Sequence, residues 1–382
     1  MWSFLPDTVA LFLAFCYGLL QLRALDLWGQ VKALTPNALD DLLATRVLSR
    51  QQQFSIVIAA RNEAPYIGAA IAAVQTSAPA CEVLVVDDHS DDHTNEYASE
   101  AGAKVVVLSK GQNGKKAALS YGISQATAPW VATLDADTVV APGWFAAMNA
   151  YTYPERIAVV GPVMLSHDGS WWQRWQSLDF CGMMAITAAS LEQGHFAMGN
   201  GANLAFAKTA FDQVDGYAPP PGKAPAASGD DMVLLTKLLG AFPEKVVFAK
   251  SRDAVVLTPA QADLPSFIQQ RLRWAAKTGL NHQPILTVTL GLVWSFHVII
   301  LCGVMLALVD LLSWVSLGIS WAIKLIVDYL LLRSATKFFG LRELLDPSYV
   351  LGSIVHALYV AGIGTLALLP IQFRWKGRNH RV

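Results

Sequence analysis

Long apolar runs lie near both ends of the chain, and the stretch between them alternates short apolar runs with polar ones. The first long run covers about residues 9–22. Three more close the chain, at about residues 286–309, 311–332 and 350–371. A helix needs about 20 apolar residues to cross a bilayer. The pattern therefore predicts an N-terminal transmembrane anchor within residues 1–30 and a C-terminal membrane region of two or three segments within residues 284–373.

Charges beside these runs predict how the chain lies in the membrane. Asp7 precedes the first run, and Arg23 and Lys32 follow it, which favours an uncleaved anchor with its N-terminus outside. A cleaved signal peptide is the alternative. Three full crossings after a cytoplasmic middle would place the basic tail, residues 374–382, outside. We therefore expect one segment to be re-entrant or interfacial and the tail to be cytoplasmic.

Two charges interrupt the second of the C-terminal runs. Lys324 and Asp328 are four residues apart, so they share one face of a helix. Charges inside a membrane are costly unless they are paired. We expect this pair to neutralise itself inside a helix bundle.

The middle of the chain, about residues 50–260, has the pattern of a soluble α/β domain. Short apolar runs predict strands, and small-residue patterns predict helices between them; strands are expected at 54–58, 83–86, 105–108 and 130–134, and helices at 64–75 and 115–125. Alternating units of this size predict a mostly parallel, doubly wound sheet that is buried on both faces. Ligands bind beyond the carboxyl ends of such strands, so residues that follow each strand are the site candidates.

Composition agrees with a membrane protein and excludes other classes. Of 382 residues, 54% are hydrophobic and 15% are charged, whereas soluble domains have about 25% charged residues. The net charge of −1 gives no basic surface for nucleic acid. The four cysteines form no CxxC pair, so they indicate buried thiols rather than a disulfide framework or a zinc site.

Acidic side chains follow three of the predicted strands. Glu63 follows the first, Asp88 the second, and Asp135 and Asp137 the fourth. Crowded carboxylates repel one another unless a cation lies among them. Mg²⁺ and Mn²⁺ prefer oxygen ligands, and Mg²⁺ commonly uses one or two carboxylates together with substrate phosphates. We expect such a cation here, a solvated acidic loop being the alternative.

Other charged residues have a local explanation as well as a functional one. Asp91 and Asp92 are expected to cap a helix. Lys115 and Lys116 open the helix at 115–125, where a lysine is mildly unfavourable by the helix dipole. A phosphate-facing role and a solvated pair both remain open for these lysines.

Short motifs also occur in a fixed order along the chain. They are residues 56–63, the VDDxSxDxT-like residues 86–94, the GKxxAL-like residues 114–119, the DxD at 135–137, a small-residue loop at 199–203, the acidic pair at 230–231 and the QxxRW at 270–274. Over residues 54–274 this series resembles the family-2 glycosyltransferases of the GT-A fold. The QxxRW signature is similar to that of membrane-bound members such as ceramide glucosyltransferases and cellulose, chitin and hyaluronan synthases. Asp230 stands where that family has Glu.

The resemblance implies a role for each matching residue in transfer from a nucleotide sugar, with UDP as the implied nucleotide. The implied nucleotide-binding residues are Ala60, Arg61, Glu63, Asp88, Lys116 and Asp135. Asp137 is the implied ligand of Mg²⁺ or Mn²⁺. Asp231 is the implied general base, and the other catalytic residues are Asp230, Gln270, Arg273 and Trp274. One base and no protein nucleophile imply inversion.

The apolar spacing around the QxxRW motif predicts an amphipathic interfacial helix within residues 261–283. Such a helix brings the site to the bilayer, so we expect a single sugar to be transferred to a membrane lipid. We expect an integral membrane protein, of a bacterial inner membrane, with residues 50–260 in the cytoplasm. Packing is the expected role of at least two of Trp171, Trp172 and Trp175.

Three alternatives use the same sequence features. A processive polysaccharide synthase has the same motifs. A non-catalytic sugar-nucleotide sensor is expected to lack one of the acidic site residues. A nucleotidyltransferase can also use a metal ion that is held by carboxylates. The sequence leaves open whether the sugar is glucose, galactose or N-acetylglucosamine. It also leaves open which lipid accepts the sugar and how many copies assemble.

Overall fold

A computed structural model gives the structure of the chain for residues 5–33, 53–152, 155–194, 199–218, 230–278, 284–369, 372–375 and 378–381. These residues form two compact units. We call residues 31–167 and 190–260 the sheet unit, and residues 1–30, 168–189 and 261–382 the helical unit. Residues 168–189, which the sequence places in the catalytic domain, thus group with the apolar helices.

A seven-stranded sheet forms the centre of the sheet unit. Its strands are β1 (Phe54–Ala60), β2 (Glu82–Asp87), β3 (Lys104–Val107), β4 (Trp130–Asp135), β6 (Ala158–Val160), β8 (Asn203–Ala207) and β9 (Val246–Phe248). Their order is β3-β2-β1-β4-β8-β6-β9. The first four strands are parallel, as predicted, and β8 runs antiparallel to both its neighbours. A smaller sheet has the order β5-β10-β7, formed by Val139–Val140, Val256–Pro259 and Val163–Ser166 respectively.

Helices cover the large sheet. They are α2 (Ile67–Ser77), α3 (Thr94–Glu100), α4 (Lys115–Gln125), α5 (Trp144–Ala150), α7 (Lys208–Gln213) and α8 (Asp230–Ala241). Every residue of β1 except Ala59 is buried, which explains its continuous apolar run. The helix expected at 64–75 begins instead at Ile67, after a turn in which Glu63 accepts hydrogen bonds from Tyr66 and Ile67.

The sheet brings two strand ends together at one edge. In the register of the parallel strands, Ala60 lies opposite Asp87 of β2, and Ala59 lies opposite Asp135 of β4. Strand order also reverses here, because β2 and β3 lie on one side of β1 and β4 lies on the other. Crevices for ligands occur at such switch points in doubly wound sheets.

The helical unit contains six helices and a two-stranded hairpin among its described residues. They are α1 (Leu5–Gln30), α6 (Trp171–Gln193), α9 (Leu264–Thr278), α10 (Pro284–Leu308), α11 (Trp314–Phe339), α12 (Tyr349–Ala367), β11 (Gln372–Trp375) and β12 (Arg378–Arg381). Four of them, α1, α10, α11 and α12, are long and apolar enough to cross a membrane. The predicted basic tail includes β12, so part of it is ordered as a strand.

The charges inside α11 pair as expected. Lys324 Nζ lies 2.6 Å from Asp328 Oδ2, and both residues are buried. Asp328 also accepts a hydrogen bond from the hydroxyl of Tyr17 on α1, at 2.6 Å. This polar contact joins α1 to α11 inside the helical unit.

The last apolar helix does not run the full length of its neighbours. Tyr349, at the start of α12, donates its hydroxyl proton to the carbonyl of Leu325 in the middle of α11, at 2.8 Å. Near the other end, Thr365 accepts a hydrogen bond from Trp294 in the middle of α10, at 3.2 Å. Beyond α12, strand β11 packs beside α9. The start of α12 is thus tied to α11 and its last turn to α10.

Candidate active site

The loops after β1 and β2 pack against each other at the switch point. The backbone N–H of Asp88 donates to the carbonyl of Ala60 at 2.9 Å. The guanidinium of Arg61 lies 3.7 Å from Asp88 Oδ2. The Asp88 side chain is only 6% exposed, whereas that of Arg61 is 22% exposed. Three residues predicted to bind nucleotide, Ala60, Arg61 and Asp88, are thus neighbours.

Left-handed backbone at two positions shapes these loops. Asn62 has φ of 54° and His89 has φ of 58°, a region that Asn and His enter more readily than most residues. Asn62 donates its N–H to Ser90 Oγ at 3.0 Å and accepts from the N–H of Asp91 at 2.9 Å. The two loops therefore hold each other in a fixed conformation.

Buried acidic residues of this region support the loops rather than face solvent. Asp87, which is 1% exposed, accepts hydrogen bonds from the N–H and the hydroxyl of Ser90. Glu63 donates its backbone N–H to Thr94 Oγ1 at 2.8 Å. Asp87 thus fixes the loop that carries Asp88. The sequence alone did not distinguish this supporting aspartate from its neighbour Asp88.

Asp92, one of the two aspartates expected to cap α3, lies one residue before the N-cap, which is His93. It accepts hydrogen bonds from the backbone N–H groups of Ala64 and Thr94, both at 3.1 Å, and from the Thr94 hydroxyl. Slight burial acts to raise the pKa of Asp92, but these hydrogen bonds outweigh burial and lower it. Thr94 begins α3, so Asp92 holds the start of that helix in place.

The end of β4 carries a carboxylate that is paired with a lysine. Asp135 accepts a hydrogen bond from Lys115, at the first turn of α4, and the two side chains are 32% and 30% exposed. Gly114, with φ of 92°, precedes that helix in a conformation that favours glycine. Lys115 thus reaches a predicted nucleotide-binding residue, although the sequence favoured Lys116 for that role.

The carboxylates of the DxD fit a cation that is shared with a ligand. Asp135 and Asp137 flank a turn in which Thr138 donates its N–H and its hydroxyl to the carbonyl of Asp135. Within the described ranges, no three His, Cys, Asp or Glu side chains form a group able to hold a metal ion. Mg²⁺ sites that use one or two carboxylates complete their coordination with phosphate oxygens and water. The donor set here matches that kind of site.

Asp231 is held in place by the loop at residues 199–203. Its Oδ2 accepts the backbone N–H of Gly201 at 3.0 Å, and the residue is 9% exposed. The carbonyl of Gly201 in turn accepts a hydrogen bond from Thr133 of β4 at 2.9 Å. A Cβ at Gly201 would lie 3.3 Å from the Asp231 Cβ, so a side chain there would crowd the carboxylate. Two hydrogen bonds therefore connect Asp231 to β4.

Asp230 begins α8, and its side chain and Gly229 lie outside the part of the chain that the structure describes. Of the two acidic side chains, the structure therefore describes only that of Asp231.

The QxxRW motif lies on α9 of the helical unit, which is amphipathic as predicted. Part of its apolar stripe packs inside this unit: Phe267 is 1% exposed and Leu272 is 3% exposed. Phe267 contacts Trp172 and Trp175, with ring centroids 5.1 and 5.6 Å apart. The buried part of the stripe therefore serves internal packing, and Leu264, at 56% exposed, is left at the surface.

Comparison with known proteins agrees with this geometry. The family model for Glycosyl transferase family 2 matches residues 55–214. A 92-residue stretch is 35% identical to the succinoglycan biosynthesis protein ExoU of Rhizobium meliloti (strain 1021) and covers 23% of this chain and 27% of that protein. The chain thus spans about a quarter of the curated relative that it matches.

Solved structures that are similar to this chain include two glycosyltransferases. The mannosyltransferase PcManGT from Pyrobaculum calidifontis, solved with GDP-Man and Mn²⁺, is 17% identical, with a TM-score of 0.58 over 95% of this chain and 99% of that one. Glucosyl-3-phosphoglycerate synthase from Mycobacterium tuberculosis is also 17% identical, with a TM-score of 0.43 over 65% of this chain and 86% of that one. At this identity, the likeness to the mannosyltransferase establishes the GT-A fold alone.

The family match and the sheet topology cover the same strands, loops and DxD, and four apolar helices flank or follow them. Residues 55–214 thus match the model for Glycosyl transferase family 2 and have the GT-A fold, and the described residues include four helices long and apolar enough to cross a membrane.

Proposed function

We propose that this chain is a glycosyltransferase that moves a single sugar, with inversion, from a nucleotide donor to a hydroxyl group of a membrane lipid. The observation that supports this most is the placement of Asp231. Its carboxylate accepts a hydrogen bond from the 199–203 loop, and that loop accepts a hydrogen bond from β4. Strand β4 ends at Asp135, the first residue of the DxD. A single fixed carboxylate beside a strand-end site suits one proton transfer in a direct displacement.

The donor nucleotide is assigned to the loops at the switch point. Asp88 and Arg61 offer an acceptor and a cation for the base and the diphosphate, and Ala60 and Glu63 shape the same edge. Asp135, with Lys115 and Lys116 at the start of α4, completes the proposed nucleotide site. UDP is proposed by resemblance, and the assay below includes GDP-sugars as a competing donor class.

Asp137 and Asp135 would hold Mg²⁺ or Mn²⁺ together with the diphosphate oxygens, and the cation would neutralise the charge that develops on the leaving group. Arg273 adds a fixed guanidinium for the same oxygens in this proposal, because its planar fork matches phosphate geometry. Gln270 and Trp274 complete the motif, with Trp274 offering an apolar surface to the acceptor or the sugar.

Asp231 takes the proton from the acceptor hydroxyl while the oxygen of that hydroxyl attacks the anomeric carbon. The new carbon–oxygen bond forms while the bond to the nucleotide diphosphate breaks, and the diphosphate leaves with the electron pair. No protein atom bonds to the sugar, so the configuration at the anomeric carbon inverts. Asp230, the neighbouring carboxylate, is proposed to act beside this base.

The acceptor is proposed to be a lipid because of the helical unit. Helix α9, which carries the motif, directly precedes α10, the first of three consecutive helices with the length and composition of membrane spans. We propose that α9 lies at the bilayer surface with the sheet unit in the cytoplasm, so that an acceptor hydroxyl at the headgroup level is within reach.

The experiment is a transfer assay with the full-length protein in detergent. Labelled UDP-glucose, UDP-galactose, UDP-N-acetylglucosamine and GDP-mannose are each supplied with total membrane lipid and Mg²⁺ or Mn²⁺. We expect label from one UDP-sugar to enter the organic phase as a product with one added sugar, and we expect EDTA to prevent it.

Other outcomes of this assay contradict parts of the proposal. A ladder of water-soluble products would establish a processive synthase. Transfer from GDP-mannose alone would replace the UDP assignment. Donor binding without transfer to any lipid fraction would favour a sensor, and full activity in EDTA would remove the metal from the site.

A further inference from the structure

A buried ion pair joins the helix of the QxxRW motif to another helix of the helical unit. Arg271, which lies on α9 between Gln270 and Arg273, has its Nη2 3.1 Å from Oδ2 of Asp179 on α6. The side chains of Arg271 and Asp179 are 3% and 5% exposed. Tyr359 on α12 donates its hydroxyl proton to the same carboxylate, 3.1 Å from Oδ1. Helices α6, α9 and α12 therefore meet at one aspartate.

Aromatic rings enclose the guanidinium of Arg271. Its central carbon lies 4.2 Å from the ring centroid of Trp274, 4.6 Å from that of Phe267 and 5.5 Å from that of Tyr359. A cation over the face of such a ring is attracted to it. Trp274 belongs to the motif itself, so the paired arginine contacts a motif residue directly.

Helix geometry assigns the two arginines to different sides of α9. Successive residues of an α-helix are about 100° apart, so Arg273 leaves the helix on nearly the opposite side from Arg271. Trp274, three residues after Arg271, lies on the same side as Arg271. The ion pair thus holds one side of α9 against the helical unit and leaves the side of Arg273 unconstrained by this contact.

Asp179 is the anion that balances Arg271. His356 Nε2 lies 3.7 Å from Asp179, and its Nδ1 lies 3.2 Å from Lys324 Nζ. Lys324 is itself paired with Asp328 at 2.6 Å. Burial raises the pKa of Asp179, and the charge of Arg271 acts against that increase. Arg271–Asp179 and Lys324–Asp328 therefore form two oppositely charged pairs, with His356 between them.

We propose that Asp179 is a positioning residue for sugar transfer, because it neutralises Arg271 and thereby fixes the orientation of the motif helix. This inference rests on the role proposed above for Arg273 and Trp274. An arginine that lost its partner in an aromatic, water-poor surrounding would move toward solvent and carry α9 with it. Misplacing a group by about 1 Å can lower a rate by about 10²-fold.

The test compares kcat, donor KM and thermal unfolding for full-length variants. Asp179→Asn is expected to lower kcat by about 10²-fold while the donor KM stays within about twofold, since displacement affects the transition state most. Asp179→Glu is expected to recover part of kcat. The double variant Asp179→Asn/Arg271→Met removes both charges and keeps an acceptor for the Tyr359 hydroxyl, and replacing a buried ion pair by neutral side chains is often neutral or stabilising. We expect it to unfold at the wild-type temperature or above, yet to keep the low kcat.

The double variant separates positioning from simple stability. Recovery of both the unfolding temperature and kcat would mean that the pair is only structural, and unchanged kcat in Asp179→Asn would also overturn the proposal. Arg174→Gln is the control, because Arg174 lies on α6, as Asp179 does, and pairs with Asp346 at 2.9 Å in a half-buried contact. Its kcat should equal that of the wild type.

Two motif variants distinguish this inference from the proposed function. If Arg273→Ala and Trp274→Ala keep wild-type kcat, the motif does not take part in transfer, and the positioning role falls with it. If both variants lower kcat while the double variant is fully active, the motif role stands and only the role of Asp179 is wrong.

Discussion

The two units use opposite charges in different surroundings. At the edge of the sheet, Lys115 and Asp135 pair with about a third of each side chain exposed. In the helical unit, Lys324 is 0% exposed and its partner Asp328 is 11% exposed. Water and ligands reach the first pair, whereas the second pair is closed off by α11 and its neighbours.

This difference indicates two functions for paired charges in one chain. An accessible pair gains little free energy from its own contact, so a charged ligand can displace one partner at small cost. A buried pair loses several kcal/mol when one partner is removed, because the remaining charge is left without water or counter-ion. We therefore expect changes at the sheet edge to affect activity, and we expect loss of one partner of the Lys324–Asp328 pair to affect stability.

The largest expected effect is the loss of activity in Asp231→Asn. The amide can still accept the hydrogen bond from Gly201, so the loop should keep its position, but the side chain can no longer take a proton. We expect kcat to fall by about 10²–10⁴-fold, with donor binding and unfolding temperature unchanged. Asp91→Asn, an exposed carboxylate of the same unit, is the control and should keep wild-type kcat. Wild-type kcat in Asp231→Asn would remove this residue from the mechanism.

The second effect concerns stability alone. Lys324→Met leaves Asp328 buried beside Tyr17 without its cation, and we expect a loss of about 3–5 kcal/mol in the free energy of unfolding. Lys324→Met/Asp328→Asn removes both charges, keeps an acceptor for Tyr17, and should recover most of that loss. Denaturation in detergent measures both variants. Equal destabilisation of the single and double variants would contradict the comparison between buried and exposed pairs.

The smallest effect distinguishes two adjacent lysines. Lys115 contacts Asp135, so Lys115→Met should weaken donor binding, raising the donor KM by about tenfold, or about 1.4 kcal/mol. Lys116→Met should raise it less, although the sequence favoured Lys116. Titration of each variant with the nucleotide diphosphate measures the difference. A larger loss of donor affinity in Lys116→Met would support Lys116 as the nucleotide-binding residue. It would also mean that the Lys115–Asp135 pair is only a surface contact.

Much of the fold follows from local sequence. Helix α4 has the predicted bounds, Lys115–Gln125, and the first four strands lie where continuous apolar runs indicate them. These segments carry their own signal, because burial on both faces requires apolar residues at every position. The DxD and the strand-end loops follow from the same pattern once the strands are placed.

Features that depend on distant contacts could not be predicted in this way. Strands such as Ala158–Val160 and Val246–Phe248 have three residues each, too few for a periodic pattern, and they exist because they pair with each other. Asp179 and Arg271 are 92 residues apart, and neither has a local pattern that marks it. The choice between Lys115 and Lys116 depends on the conformation of Gly114, which sets the start of the helix.

The position of α12 has a consequence for sidedness. If α1, α10 and α11 cross the bilayer, α12 starts beside Leu325, part of the way along α11, and its last turn contacts Trp294 of α10. The start of α1 and the turn before α11 lie together on the far face, since the Ser313 N–H donates to Asp7 at 3.0 Å. The β11–β12 hairpin lies beside α9 on the near face. An epitope placed at the start of α1 and one placed in the β11–β12 hairpin would thus be accessible to antibodies from opposite compartments.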